Sequence, residues 1–132
     1  MNRLSGFQKM CAANAVLLLF YWPLSHWLYS DLYHRMFGFA PGSYDQDFVK
    51  IIGTMGMIPV LGFVYAAFRP NESRAFLFAF TRWCFLQSAT FINVVVDGKF
   101  PDREFFNAGL LFLVGLSMLP ALFGKKPSQA QR

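Results

Sequence analysis

Four long apolar stretches decide what this chain can fold into. They occupy residues 10–29, 51–68, 75–96 and 105–123. Each is close to the length of about 20 residues that an α-helix needs to cross the hydrocarbon core of a bilayer. Strands of a membrane barrel would alternate polar and apolar residues over about ten positions, whereas these stretches are apolar on every side. The sequence therefore predicts an all-α fold, an integral membrane bundle of four transmembrane helices.

The composition excludes the other broad classes of protein. Of the 132 residues, 55% are hydrophobic and only 14% are charged, whereas soluble domains have about 25% charged residues. Aromatic residues make up 19% of the chain, which excludes an intrinsically disordered protein. The two cysteines are too few for a disulfide-stabilised scaffold. We therefore expect a single membrane domain that covers residues 1–132.

The joints between the apolar stretches carry residues that end and begin helices. Pro70 stops the second helix, and Asn71 or Ser73 is expected to cap the third. Asp97 and Gly98 form a tight-turn dipeptide before the fourth helix. These signals agree with the division into four helices.

The one long connection is residues 30–50, where aromatic residues stand beside polar ones. We expect it to be an interfacial loop that lies on the membrane surface. Within it, Ser43 and Gln46 have the spacing of a capping box ahead of the second helix. Residues 124–132 are read as a polar C-terminal tail.

The positive charges sort to one end of the bundle. With the N-terminus inside, seven basic residues lie on the cytoplasmic side: Arg3, Lys9, Arg69, Arg74, Lys125, Lys126 and Arg132. Four lie on the opposite side: Arg35, Lys50, Lys99 and Arg103. The positive-inside rule then predicts a multi-pass protein of the cell membrane with both termini cytoplasmic. The net charge of +5 is therefore not a nucleic-acid footprint, and membrane lipids are the expected partners of the basic rim.

Arg82 is the most informative charged residue of the apolar stretches. It lies eight residues after Arg74, so about 12 Å deeper along a helix, in a core about 30 Å thick. A central arginine costs at least about 2.5 kcal/mol on insertion scales. Asn93 falls on nearly the same helical face, and Ser117 is expected in the same leaflet as Arg82. Two hypotheses follow: these three residues form a polar intramembrane site for an anionic group, or Arg82 reaches the inner head groups.

Three prolines interrupt the predicted helices, namely Pro23, Pro59 and Pro120. Each removes one backbone hydrogen bond within its helix. Three kinks in so short a chain suggest a bundle that opens a cavity, although kinks are common in membrane helices.

The two histidines, His26 and His34, stand near the outer end of the first helix among tyrosines. Histidines can ligate haem or a metal, but an aromatic belt at the membrane interface is the commoner setting for them. We therefore predict no metal site and no cofactor, and expect the purified protein to be colourless.

Five acidic residues flank the outer helix ends: Asp45, Asp47, Asp97, Asp102 and Glu104. Asp102, after Pro101, is expected to cap the fourth helix, and Glu104 falls in its first turn. The five could converge on a site, but the prediction is a solvated rim. No motif for catalysis is present, because the chain has neither a glycine-rich phosphate loop nor a metal-spaced cluster.

Three segments resemble small four-helix membrane proteins of the DoxX-like kind. They are residues 35–41 (RMFGFAP), 47–53 (DFVKIIG) and 62–67 (GFVYAA). The similarity continues through Arg74 and the turn at Gly98, so it covers about residues 30 to 120. It implies a four-helix membrane fold, and some relatives are subunits associated with quinone-linked oxidation. No functional residue is carried over, since the shared pattern concerns packing and turns.

Three hypotheses for function follow. The first is a non-catalytic membrane subunit that interacts with other membrane subunits. The second is a redox or enzyme subunit that holds a quinone or lipid at a polar site near Arg82. The third is a small oligomeric transporter, for which the apolar stretches offer no coupling acid.

Overall fold

The computed structural model describes residues 5–123, which contain helices and no strand. The helices are α1 (Gly6–Leu28), α2 (Ser30–Met36), α3 (Gln46–Phe68), α4 (Arg74–Val96) and α5 (Asp102–Phe123). All but α2 are long and apolar enough to cross a membrane. The predicted all-α class with four long apolar helices is confirmed.

All four long helices begin before the apolar stretches that predicted them, and α1 and α3 do so by a full turn or more. α1 begins at Gly6, where the Ser5 hydroxyl accepts from the Gln8 amide at 3.2 Å and the Gln8 side chain accepts from the Ser5 amide. α3 begins at Gln46, where the Asp45 carboxylate accepts from the backbone amides of the first turn at 2.8 and 2.9 Å. The predicted capping box at Ser43 is wrong, because the Ser43 hydroxyl donates to the Ala40 carbonyl in the preceding turn.

The connection at residues 30–50 is more ordered than the predicted loop. It contains α2, which lies across the end of the bundle and buries Phe37. The Arg103 guanidinium, next to the start of α5, donates to the Met36 carbonyl at 3.0 Å and so holds the end of α2. The predicted tail at 124–132 lies outside the described residues.

The other two joints follow the sequence closely. Ser73 precedes α4, although its hydroxyl donates to the Arg69 carbonyl and does not cap an amide. Gly98 forms the turn before α5 with a φ of 68°, a conformation that favours glycine. Asp102 was expected as a side-chain cap, but it opens a 3-10 turn, Asp102–Glu104, that leads into the α-helical part of α5.

The long helices pack as two antiparallel pairs, α1 with α3 and α4 with α5. Their shared core contains Leu18, Phe63, Cys84 and Met118, each without exposed surface. The remaining core residues are Cys11 and aliphatic or aromatic side chains, and all four long helices contribute to the core.

The proline of α1 changes the path of that helix. Pro23 lies in a π-helical turn, Phe20–Leu24, and is fully buried. Proline has no N–H to donate to the preceding turn, and single π turns inside α-helices recur at functional sites. Tyr21 and Trp22 belong to this turn, so it sets where their rings point. Trp22 in turn approaches Gly56, where the two segments of α3 meet.

Candidate functional site

The three residues predicted as a polar intramembrane site lie apart. Arg82 is exposed on α4 and its guanidinium carbon stands 4.3 Å from the centre of the Phe78 ring. Asn93 is also exposed. The Ser117 hydroxyl accepts from Asn14 of α1 at 3.0 Å. Among the described residues, 5–123, no hydrogen bond joins any two of these three side chains. The structure therefore gives no support to the predicted polar site.

A different set of polar residues comes together at the end of the bundle where α2 lies. They surround a cavity of about 420 Å³ between α1, α2, α3, α4 and α5. Its polar lining is Tyr21, His26, Tyr33, His34, Glu104 and Asn107, with Ser43, Tyr44 and Gln87. We call this space the end cavity. Ligand pockets in proteins commonly have volumes of about 300–1,000 Å³.

Glu104 is buried, so the predicted solvated rim is wrong for this one acid. Only 3% of its surface is exposed, while Asp45, Asp47, Asp97 and Asp102 are exposed as expected. The difference arises because the 3-10 turn at the start of α5 directs Glu104 inward, under α2. The Glu104 carboxyl accepts a short hydrogen bond from the side-chain amide of Asn107, three residues later on the same helical face.

His26 is buried as well, with 8% of its surface exposed. Its Nδ1 is 2.8 Å from the Trp22 carbonyl, and Nδ1 of His34 is 2.7 Å from the Ser30 carbonyl. A carbonyl can only accept, so in each ring Nδ1 carries the hydrogen and Nε2 of the neutral ring is an acceptor. The two rings are 5.8 Å apart between centroids.

The tyrosines complete the polar part of the cavity. Tyr33 of α2 packs against His26 at 4.7 Å and against Tyr21 at 5.8 Å between ring centroids. Burial raises the pKa of the Tyr33 hydroxyl to about 12, so this group is neutral at physiological pH. Near Tyr33, the Tyr21 hydroxyl is buried and has no hydrogen-bond partner among the described residues.

The rest of the wall is mainly aromatic. Of the ten other lining residues, six are Phe or Trp. Trp22 of α1 stacks on Trp83 of α4 with the ring centroids 5.4 Å apart, and Trp83 stacks on Phe80 at 5.2 Å. These stacked rings fix the two indoles in place and so give the cavity a firm inner boundary.

Hydrogen-bond acceptors without a donor occur along the cavity. Besides the two imidazole acceptors, the Asn107 amide oxygen is buried without a partner. Buried polar atoms are nearly always paired, so an open acceptor on a cavity wall marks a place for a hydrogen-bond donor. Within residues 5–123 no group of three or more metal-ligating side chains comes together.

Sequence reasoning missed this site because the connection that covers it was read as a surface loop. One signal was present: Glu104 and Asn107 have the i, i+3 spacing that puts both side chains on one helical face. The spacing of residues along the sequence does not predict that α2 packs against α5. That packing depends on tertiary contacts such as the hydrogen bond from Arg103 to the Met36 carbonyl.

Comparison of the chain with protein-family models, with curated proteins and with solved structures finds no match.

Proposed function

We propose that this chain is a non-catalytic membrane protein that binds a small amphipathic molecule in the end cavity. The observation that carries the proposal is the combination, in one cavity of about 420 Å³, of an aromatic wall with buried polar atoms that lack partners. A mostly apolar pocket with a few convergent polar groups is the usual form of a small-molecule site.

The membrane location is supported by the outer surface of the bundle. Large apolar side chains are exposed on every long helix, among them Phe20, Phe68, Leu86 and Leu113. A water-soluble protein rarely exposes so continuous an apolar surface. We propose the cell membrane, with both termini on the cytoplasmic side and the end cavity on the opposite side.

The DoxX-like resemblance and its quinone-linked alternative stay predictions. A quinone ring would fit an aromatic wall, but the residues favoured for that hypothesis, around Arg82, lie outside the end cavity. A ligand role at His26, Tyr33 and Glu104 has better structural support than one at Arg82.

The test compares a substitution that fills the end cavity with a matched substitution on the outer surface of the same helix. Ile52 lines the cavity, whereas its neighbour Ile51 is exposed on the outer face of α3. Wild type, Ile52→Trp and Ile51→Trp are reconstituted in nanodiscs and titrated calorimetrically with 1-naphthylmethylamine, 1-naphthylmethanol and 1-naphthoate, with empty nanodiscs subtracted.

We expect saturable binding of at least one naphthalene to wild type and to Ile51→Trp, and a loss of about tenfold or more in Ile52→Trp. If no probe binds wild type above empty nanodiscs, or if both variants bind as wild type does, the proposed function is wrong.

A further inference from the structure

We propose that the ligand of the end cavity is an organic cation, an aromatic amine in its ammonium form, with the Glu104 carboxylate as its counter-charge. This rests on the proposed function, because it assigns a chemical class to the molecule that the cavity would hold.

Among residues 5–123, Glu104 has no ion pair with a basic side chain. Its carboxyl is nine-tenths buried or more, and the ion pairs among the described residues join Lys50 to Asp47, Arg69 to Glu72 and Lys99 to Asp97. The adjacent Arg103 is exposed and donates to the Met36 carbonyl. A buried carboxyl without a cationic partner is costly to ionise, and a ligand that brings positive charge would offset that cost.

The hydrogen-bond acceptors of the end cavity also favour an ammonium group. An ammonium group has three donors and no acceptor, and several acceptors lie along the cavity. These are the Glu104 carboxylate, the unpartnered amide oxygen of Asn107, and Nε2 of His26 and His34 in their neutral rings. An anion or a carbonyl ligand would face the same acceptors without donating to them.

The aromatic side chains of the cavity wall also favour a cationic ligand. Cations are attracted to the faces of aromatic rings, most strongly to those of Trp and Tyr in desolvated sites. Tyr33, Phe48 and Phe91 line the cavity and supply such rings from three different helices. The other ionisable groups of the wall are the two histidines and three tyrosines, Tyr21, Tyr33 and Tyr44. In their neutral forms these leave Glu104 as the single charge of the cavity.

The naphthalenes named above separate this inference from the proposed function, since they share one ring system and differ in charge. 1-Naphthylmethylamine is cationic at neutral pH, 1-naphthylmethanol is neutral and 1-naphthoate is anionic. They are titrated against wild type, Glu104→Gln and Asp102→Asn in nanodiscs. Asp102→Asn is the matched control, because Asp102 is exposed and does not line the cavity.

We expect wild type and Asp102→Asn to bind the amine at least about tenfold more tightly than the alcohol, with the acid weakest. In Glu104→Gln the preference for the amine should fall to about twofold or less. If wild type binds the alcohol or the acid as tightly as the amine, or if Glu104→Gln keeps the preference, the inference is wrong while the proposed function stands.

If none of the three naphthalenes binds to wild type, the proposed function and this inference are both wrong. If Glu104→Gln does not fold, the order of the three affinities in wild type still decides, because a neutral or anionic preference contradicts the inference directly.

Discussion

Arg82 lies on the outward face of α4, with its guanidinium carbon 4.3 Å from the centre of the Phe78 ring. An exposed cation–π contact contributes about 0.5–1 kcal/mol. Removing the charge from an apolar helix offsets that loss, since a central arginine costs about 2.5 kcal/mol or more on insertion scales. We therefore expect Arg82→Leu to lower the free energy of unfolding by less than about 1 kcal/mol, measured by thermal unfolding in detergent.

The stability of Arg82→Leu is compared with that of a second variant, Asn107→Ala. It removes the amide that donates to Glu104 inside the bundle, and a buried group left unsatisfied costs about 1–3 kcal/mol. A larger loss of stability in Arg82→Leu than in Asn107→Ala would show that Arg82 is part of a buried network after all.

The contrast between Arg82 and Glu104 shows what spacing along one helix can and cannot establish. Depth in the apolar stretch identified Arg82 as unusual, but the face that it occupies depends on which neighbours α4 has. Glu104 was taken for a surface acid because it lies at the first turn of a helix, where acids are common. Its burial results from α2, whose position no residue spacing reveals.

At the scale of elements, α1 and α3 depend on a close approach between a glycine and an indole ring. A Cβ atom built on Gly56 would lie 2.8 Å from Cγ of Trp22. Gly56→Ala must therefore displace Trp22 from its stack on Trp83, and overpacking of this kind costs about 1–3 kcal/mol. The measurement is the melting temperature together with the tryptophan fluorescence spectrum.

Gly109→Ala is the matched control, since a Cβ atom there meets nothing within 4 Å. In the middle of α5 it should be neutral or stabilising, because alanine has the higher helix propensity by about 1 kcal/mol. Equal melting temperatures for the two variants would contradict the tight contact at Gly56.

The start of α3 gives a second prediction at this scale. Asp45 accepts two backbone hydrogen bonds there, so Asp45→Ala should lower the free energy of unfolding by about 0.5–2 kcal/mol. Ser43→Ala removes a single turn hydrogen bond to the Ala40 carbonyl and should cost less. Chemical denaturation of both variants in detergent checks the order, and the reverse order would favour the capping box that the sequence suggested.

The helices themselves were predictable, and their first turns were not. Hydropathy marks the apolar part of a helix, whereas the helical residues before the predicted start include the polar or charged Gln46, Asp47 and Lys50. Caps such as Ser5 and Asp45 set the true starts, and several serines and aspartates near each joint could have served equally well. The turn at Gly98 was predictable because its positive φ of 68° favours glycine.

At the scale of the whole molecule, two hydrogen bonds show that the basic residues lie at one end. Gln8 at the start of α1 donates to the Ala67 carbonyl at the end of α3. Arg74 at the start of α4 donates to the Leu122 carbonyl at the end of α5. Lys9, Arg69 and Arg74 therefore share the end opposite the end cavity. By the positive-inside rule, this end should face the cytoplasm.

We expect an alkaline phosphatase fusion after residue 132 to be inactive and a green fluorescent protein fusion at the same place to fluoresce. Phosphatase inserted within residues 43–47, beside the end cavity, should be active, because that end would lie outside the cytoplasm. All three fusions are measured in the same host strain, with membrane levels checked by immunoblot. An active phosphatase after residue 132 would reverse the orientation, and with it the side from which a ligand reaches Glu104.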